Sequence, residues 1–540
     1  MDGSKSFTLH SIPEHSSPTR SLSLFTFKAL YTLLFGVAVL LFFGMAYPHH
    51  LHYQEQYQLF LFDSTYLWEV VKLPGGVADL LGRFCTQFFL FAWVGAFIIA
   101  LLLSGVQLLT LRLASAFTSK AVYVLSFVPA FLLWLFLLDE NALLGGVWAV
   151  LLTLLASWGY NRLPDGWMRR ILLIAAIPIL YWMVGPVCML FLLLQAIGAN
   201  EANGTNGTHE AHKAHWATAW YYGIFVLLAI MLVMLSFYLP VPASHLWTGI
   251  HYHRYPIVIP VLLWASVLSV FVLALLARVF HKWANASSRS IVPLLSFALV
   301  AIVMGCLVWK NSNFKAEKVM QYDFMARHQQ WNRILETIYA EKPNNQIGVT
   351  VQNLALAMHG MLADHLFEYN QNGILGLLPD VERDATSPLP TAEVFYQLGM
   401  IYVAQRTVFE AQEAILDFQK SGRCYKRLAQ TNLIIGSYEV ARKYLLALQK
   451  TLFYREWANE TLLLLGNEEA IAKHPEYGRL RKTAYNKDFY FSDHVSPDML
   501  ETLFFSNTDN RLAFEYLKAY YMLTGNRDSY AKLLLYLQNQ

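Results

Sequence analysis

The sequence predicts an all-α protein in two parts: a polytopic helical membrane domain, then a water-soluble array of helical repeats. Three observations predict it. Of the 540 residues, 56% are hydrophobic and only 14% are charged, far more apolar than a soluble chain of this length needs. Charges are sparse before about residue 310 and ordinary after it, which puts the boundary near Trp309 to Asn313. Beyond that boundary, apolar and small residues recur in repeated helical blocks.

Taken in order, residues 1–22 form a polar tail rich in Ser and His, with no small-residue cleavage site after the first apolar run. The first span is therefore expected to be a retained anchor and the tail cytoplasmic. A crossing needs about 20 apolar residues. The candidates are 24–46, 86–108, 121–138, 142–158, 216–239, 256–277 and 291–309. The run 171–198 holds Pro178 and Gly185-Pro186, and reads either as one kinked span or as two short helices that enter and return.

Lys and Arg collect on the cytoplasmic side. Their clusters are Arg20/Lys28, Arg112/Lys120, Arg162/Arg169/Arg170 and Arg278/Lys282/Arg289. All four face the cytoplasm only if 171–198 counts twice, giving about nine membrane segments in residues 23–310. The loop 47–84, Asp139-Glu140, the loop 240–255 and residues 311–540 then lie on the outer, periplasmic side of a bacterial inner membrane. Eight crossings would put the array in the cytoplasm and leave the last basic cluster outside. Asn203-Gly-Thr205 and Asn206-Gly-Thr208 have the form of glycosylation acceptors, but in this topology they belong to a polar linker facing inward.

In the soluble part, residues 392–402 read Ala-Glu-Val-Phe-Tyr-Gln-Leu-Gly-Met-Ile-Tyr. This resembles the first helix of a tetratricopeptide repeat, with Phe395, Leu398, Gly399 and Tyr402 at its large and glycine positions and Ala411 following. Leu428, Gly436, Tyr438, Ala441 and Leu445 form a second copy, Phe514, Leu517, Tyr521 and Gly525 a degenerate third, and Trp331 to Pro343 a half-copy. The resemblance implies stacked helix pairs in which small residues let helices approach. It also implies a concave surface that holds a protein or glycan.

A net charge of +3 without a basic aromatic block excludes a nucleic-acid partner. Cys85, Cys188, Cys306 and Cys424 have no metal or redox spacing. No phosphate loop, serine elbow or zinc-protease motif occurs, and the spans lack the charges that ion-coupled transport commonly uses.

Three polar clusters are expected to meet on the outer face: His49, His50, His52, Glu55 and Asp63; Asp139-Glu140; and His245, His251, His253 and Arg254. Asp139-Glu140 reads simply as a polar outer turn. Glu55 stands alone in a stretch free of other charge from Lys28 to Asp63. It could serve as a general base, or hold a divalent cation with His50 or His52. Arg254 has the planar fork that suits a phosphate. Two amphipathic pieces, Thr65 to Val71 and Val77 to Phe84, are expected to lie flat on the bilayer on either side of Pro74-Gly75-Gly76.

This layout of first span, acidic outer loop, many spans and soluble tail is similar to the multi-pass glycosyltransferases that use polyprenyl-phosphate sugars. The resemblance implies Glu55 as catalytic base or metal ligand, although that family usually places two acids close together and the next acid here is Asp63. In the Gln-Glu-Gln and Pro-Gly-Gly stretches the chain resembles a group of uncharacterised bacterial multi-pass proteins with a helical-repeat tail, which implies no activity. The leading expectation is a transferase on a lipid-linked sugar, with Glu55 catalytic, His50, His52, Asp63, His251 and Arg254 binding substrate, and the array holding the acceptor. The alternatives are a membrane scaffold whose array recruits a partner protein, and a lipid or polymer transporter.

Overall fold

A computed structural model describes residues 18–115, 120–164, 166–202, 208–239, 241–279, 291–380, 386–416, 419–485 and 497–538. The two acceptor-like tripeptides reach into 203–207, outside the described residues. Among the described residues every regular element is helical, apart from one isolated antiparallel bridge between Ala142 and His253.

Among the described residues, three helical stretches are long and apolar enough to cross a membrane: Ala29–Ala46, Ala92–Ala114 and Trp167–Ile197. Leu295–Asn311 joins Phe314–Arg327 across a 59° bend and makes at most a fourth. At that bend Asn313 accepts from the Ala316 amide at 3.1 Å, a cap that starts a new helix. Four apolar helices are shorter: Tyr123–Phe136, Leu144–Tyr160, Gly223–Tyr238 and Val261–Ala277. Apolar runs in the sequence outlast their helices, because turns such as Leu137 to Asn141 close the last carbonyls early.

The stretch from Trp167 to Ile197 qualifies as one span by length and composition, yet its path is not straight. Tyr160 donates to the Arg169 carbonyl at 3.0 Å, and its ring lies 5.4 Å from that of Phe191. A straight helix would hold residues 169 and 191 about 33 Å apart, beyond the reach of one tyrosine. The chain turns at Gly185-Pro186, where Gly185 has φ +68°, a backbone state that glycine tolerates. The turn is held by Gly75, whose amide donates to the Trp182 carbonyl at 2.9 Å, and by the Tyr252 hydroxyl on the Val184 carbonyl.

The helix Gly76–Thr86 packs along Leu144–Tyr160. It buries Gly76, Ala78, Asp79, Gly82, Arg83 and Thr86, and leaves Leu80, Leu81 and Phe84 partly or fully exposed. That reverses the arrangement usual for a helix packed on a protein core. Glycines decide the orientation: a Cβ on Gly82 would stand 2.4 Å from the Gly145 amide nitrogen, so the two backbones touch there.

The C-terminal part is built of helix hairpins, Pro388–Leu398 with Ile401–Glu413 and Gly422–Ile434 with Tyr438–Gln449 being the most closely packed. Ala411 and Ala441 are fully buried where helices meet. The tetratricopeptide frame puts Gly399 inside a first helix; instead it ends one, at φ +91°. Gly436 and Gly525 likewise have positive φ, at +83° and +67°, after Ile434 and Thr524 end their helices. These glycines serve as turns, because the left-handed conformation costs other residues about 1–2 kcal/mol.

The first loop clasps this second part. Glu317 caps the helix Pro48–Glu55, accepting from the His49 and His50 amides at 2.8 and 2.9 Å. Downstream the Leu59 amide donates to the Lys420 carbonyl at 3.0 Å and the Phe62 amide to that of Lys450 at 2.7 Å. Leu59 and Leu61 thereby enter an apolar cluster with Leu389, Val408, Leu428 and Leu445 of the helix hairpins.

Candidate functional site

A groove of about 930 Å³ opens between the first loop, the 241–256 loop and the hairpin Gly422–Ile434/Tyr438–Gln449 with its preceding turn. Leu59, Leu61, Val70, Leu73, Val241 and Ile250 give it an apolar wall, and Lys72, Arg83, Lys420, Lys443 and Lys450 line it with positive charge. Three of those cations are answered. Lys72 pairs with Glu69, Lys450 with Asp63 at 3.0 Å, and Arg83 with Asp79 at 2.8 Å. Among the described residues no carboxylate lies within ion-pair distance of Lys420 or Lys443, whose ammonium groups stand 5.9 and 5.8 Å from the Tyr425 and Tyr444 rings.

Its most buried polar group is the trio Asp79, Arg83 and His251. Asp79 and Arg83 are one helical turn apart on Gly76–Thr86, so their side chains meet along its buried face. The Arg83 Nε donates to Asp79 Oδ2 at 2.9 Å, and His251 Nδ1 stands 3.6 Å from the same oxygen. Asp79 is 1% exposed, and its other oxygen accepts nothing from the protein. Tyr66 stands beside Arg83; burial raises its hydroxyl pKa and the guanidinium opposes that shift. Gly145 makes the meeting possible, since a Cβ there would come within 3.1 Å of both Asp79 and the His251 carbonyl. His251 is set in place by its flanks, Gly249 at φ +104° and His253, whose Nε2 lies 3.0 Å from Asp139 Oδ2.

The six candidate residues from the sequence divide among several places. Asp63 and His251 line the groove. Glu55 does not: it is 5% exposed at the joint between the two halves, where one oxygen accepts from the Tyr454 hydroxyl at 2.9 Å and the other has no partner. Burial pushes its carboxyl up, offset by Arg327 and by that hydrogen bond. His50 is fully buried with Nε2 2.9 Å from the Leu137 carbonyl, and burial lowers its pKa to about 4. His52 stacks on Phe324 at 4.4 Å and is lowered to about 3, again chiefly by burial. Arg254 lies 3.6 Å over the Tyr57 ring, beside a small pocket of its own. Among the described residues, His251 and Arg254 therefore line different cavities, and Glu55 lines neither. Nor, among the described residues, do three or more His, Cys, Asp or Glu side chains gather where a metal ion could be held.

Sequence reasoning missed Asp79, Arg83, Tyr66, Lys420 and Lys443. One signal was present: an Asp and an Arg four residues apart, opposite the apolar stripe of a short helix. It reads as a solvated face unless the helix is known to turn its stripe outward.

No curated protein and no solved structure matches this chain. One family model does, and its match runs from residue 23 to residue 540; the chain belongs to DUF6057, a family of unknown function.

Proposed function

We propose that this protein is a membrane-embedded transferase acting on an anionic, lipid-linked sugar in the groove above Asp79, Arg83 and His251. The observation that carries this reading is the combination in one groove of an apolar wall, two lysines without carboxylate partners, and a buried carboxylate, guanidinium and imidazole. The apolar wall suits the start of a lipid chain, and Lys420 and Lys443 suit its phosphate. His251, oriented by Asp79, is the general base for an acceptor hydroxyl. Arg83 holds Asp79 in place.

In this reading the short apolar helices cross along with the long ones, making nine membrane segments with the groove on the outer face. Supporting it, the connections near residues 47, 75, 142, 185 and 252 all touch one another or the C-terminal half. The C-terminal half is a tetratricopeptide-like array that presents the acceptor. The scaffold alternative is disfavoured by Leu59 and Leu61, which already fill an apolar bed among the hairpins that a recruited partner would need.

The test is photolabelling of the full protein in membranes with a short polyprenyl phosphate carrying a photoreactive chain. Label on residues 59–83 and 419–450, reduced at least fivefold in a Lys420→Gln/Lys443→Gln variant, is the expected result. Label confined to helices away from the groove would sink the proposal.

A further inference from the structure

A second cavity, of about 410 Å³, lies on the other side of the joint. Arg327 comes from the helix that follows the last apolar one, Arg423, Lys426 and Arg427 from Gly422–Ile434, and Tyr454 and Trp457 from the next turn and helix. The three basic residues of Gly422–Ile434 sit at positions i, i+3 and i+4, so one helix face aims them together.

The lining of this space is basic. Four basic side chains line it with two carboxylates, Glu393 and Glu476, while Asp323 and Glu55 lie behind the lining. Arg423 is held from outside by both oxygens of Asp323, at 2.6 and 2.8 Å. Arg427 bonds Glu393 through Nη2, while its buried Nη1 makes no hydrogen bond and stands 4.0 Å from a Glu476 oxygen. Arg327 and Lys426 have no carboxylate within ion-pair distance among the described residues. Lys426 instead stands 4.9 Å over the Trp457 ring. Burial, with Arg427 and Arg327 nearby, pushes its ammonium below its ordinary pKa. Crowded cations in a partly closed space repel one another, and an anion placed among them relieves that.

We propose that this cavity binds a small phosphate-bearing molecule, with Arg327 and Lys426 on the phosphate, Arg427 beside them, and Trp457 and Phe453 against its organic part. Arginine forks match phosphate oxygens in pairs, and the volume falls within the range of small-molecule sites. Because Phe453 also packs on Phe88 and Phe91, at 5.5 and 5.3 Å, the ligand would touch both halves of the molecule at their joint. This site is separate from the groove and does not rest on the transferase reading.

The test is titration of the full-length protein in phosphatidylcholine nanodiscs with inorganic pyrophosphate, with succinate as a carboxylate control. Saturable pyrophosphate binding is expected, weakened at least tenfold in Lys426→Gln and in Arg327→Gln and unchanged in Lys532→Gln, which alters an exposed lysine on the last helix, Arg527–Gln538. Neither of the first two variants breaks an ion pair, so both should melt like the parent protein without ligand. Absence of saturable binding, equal binding of succinate, or binding indifferent to both cavity substitutions would overturn the proposal. Repeating the titration with phosphatidic acid in the nanodiscs separates the sources of the phosphate. Competition there means a lipid headgroup reaches the cavity, and unchanged binding means a soluble ligand.

Discussion

Glu55 is the residue where charge isolation in the sequence and burial in the structure lead to different roles. A lone acid in a polar loop invites a catalytic reading, but this one is enclosed, with Tyr454 as its hydrogen-bond donor. Glu55→Gln keeps an acceptor for that hydroxyl and removes a charge that burial disfavours, so stability should change by less than about 1 kcal/mol. Tyr454→Phe leaves the carboxylate without its donor and should cost about 1–3 kcal/mol. Thermal melting in detergent measures both, and the reverse order of effects would return Glu55 to a role beyond the joint. His50 shows the same lesson in miniature: its neighbours in sequence suggest a metal ligand, while its ring nitrogen is engaged by the Leu137 carbonyl far along the chain.

At the scale of elements, apolar runs made helical content legible, since most described residues of the runs that predicted spans are helical. Two things were not. Which face of Gly76–Thr86 is buried depends on Gly82 meeting Gly145, a contact between distant segments that no local periodicity encodes. The glycines of the repeat frame were found, but as turn residues, because left-handed φ and close packing select the same amino acid. The two uses predict different costs. Gly436 has open space around it and φ +83°, so Gly436→Ala should lose only about 1–2 kcal/mol. Gly82→Ala drives a methyl into backbone and should lose more, about 3 kcal/mol, toward the upper end of what overpacking usually costs. Chemical denaturation of the two variants compares them directly; equal losses would mean that the helices at Gly82 separate easily. The site was illegible for the same reason, as Asp79 and His251 meet only through that close approach.

For the whole molecule, the joint between the halves sets the response to acid. His49, His50 and His52 are all lowered chiefly by burial, to about 4, 4 and 3. The unfolded imidazoles bind protons from about pH 6.5 downward while the folded ones do not, so stability present above pH 6.5 falls as the pH drops toward 4. Glu317 runs the other way. Burial raises it to about 7, so its ionisation penalises the fold above pH 7 and that penalty is relieved on acidification. Glu55, raised by burial, sides with Glu317, and His328, lowered by burial to about 4, sides with the other imidazoles. Four imidazoles outweigh two carboxylates, and the melting temperature should fall between pH 7 and pH 4.5. His52→Phe, which keeps the ring on Phe324, should shrink that fall. A melting temperature that rose toward pH 5 would show Glu317 to dominate.

The clasp between the first loop and the hairpins also has a history in time. Asp63 and Lys450, which pair at its end, are separated by 387 residues. At ordinary rates of synthesis the ribosome delivers the second partner roughly 20–80 s after the first. For that interval Leu59 and Leu61 have been made but their bed among the hairpins has not. Newborn chains must therefore pass through a stage with this strip uncovered, and whatever shields it then acts on a surface that the finished protein hides.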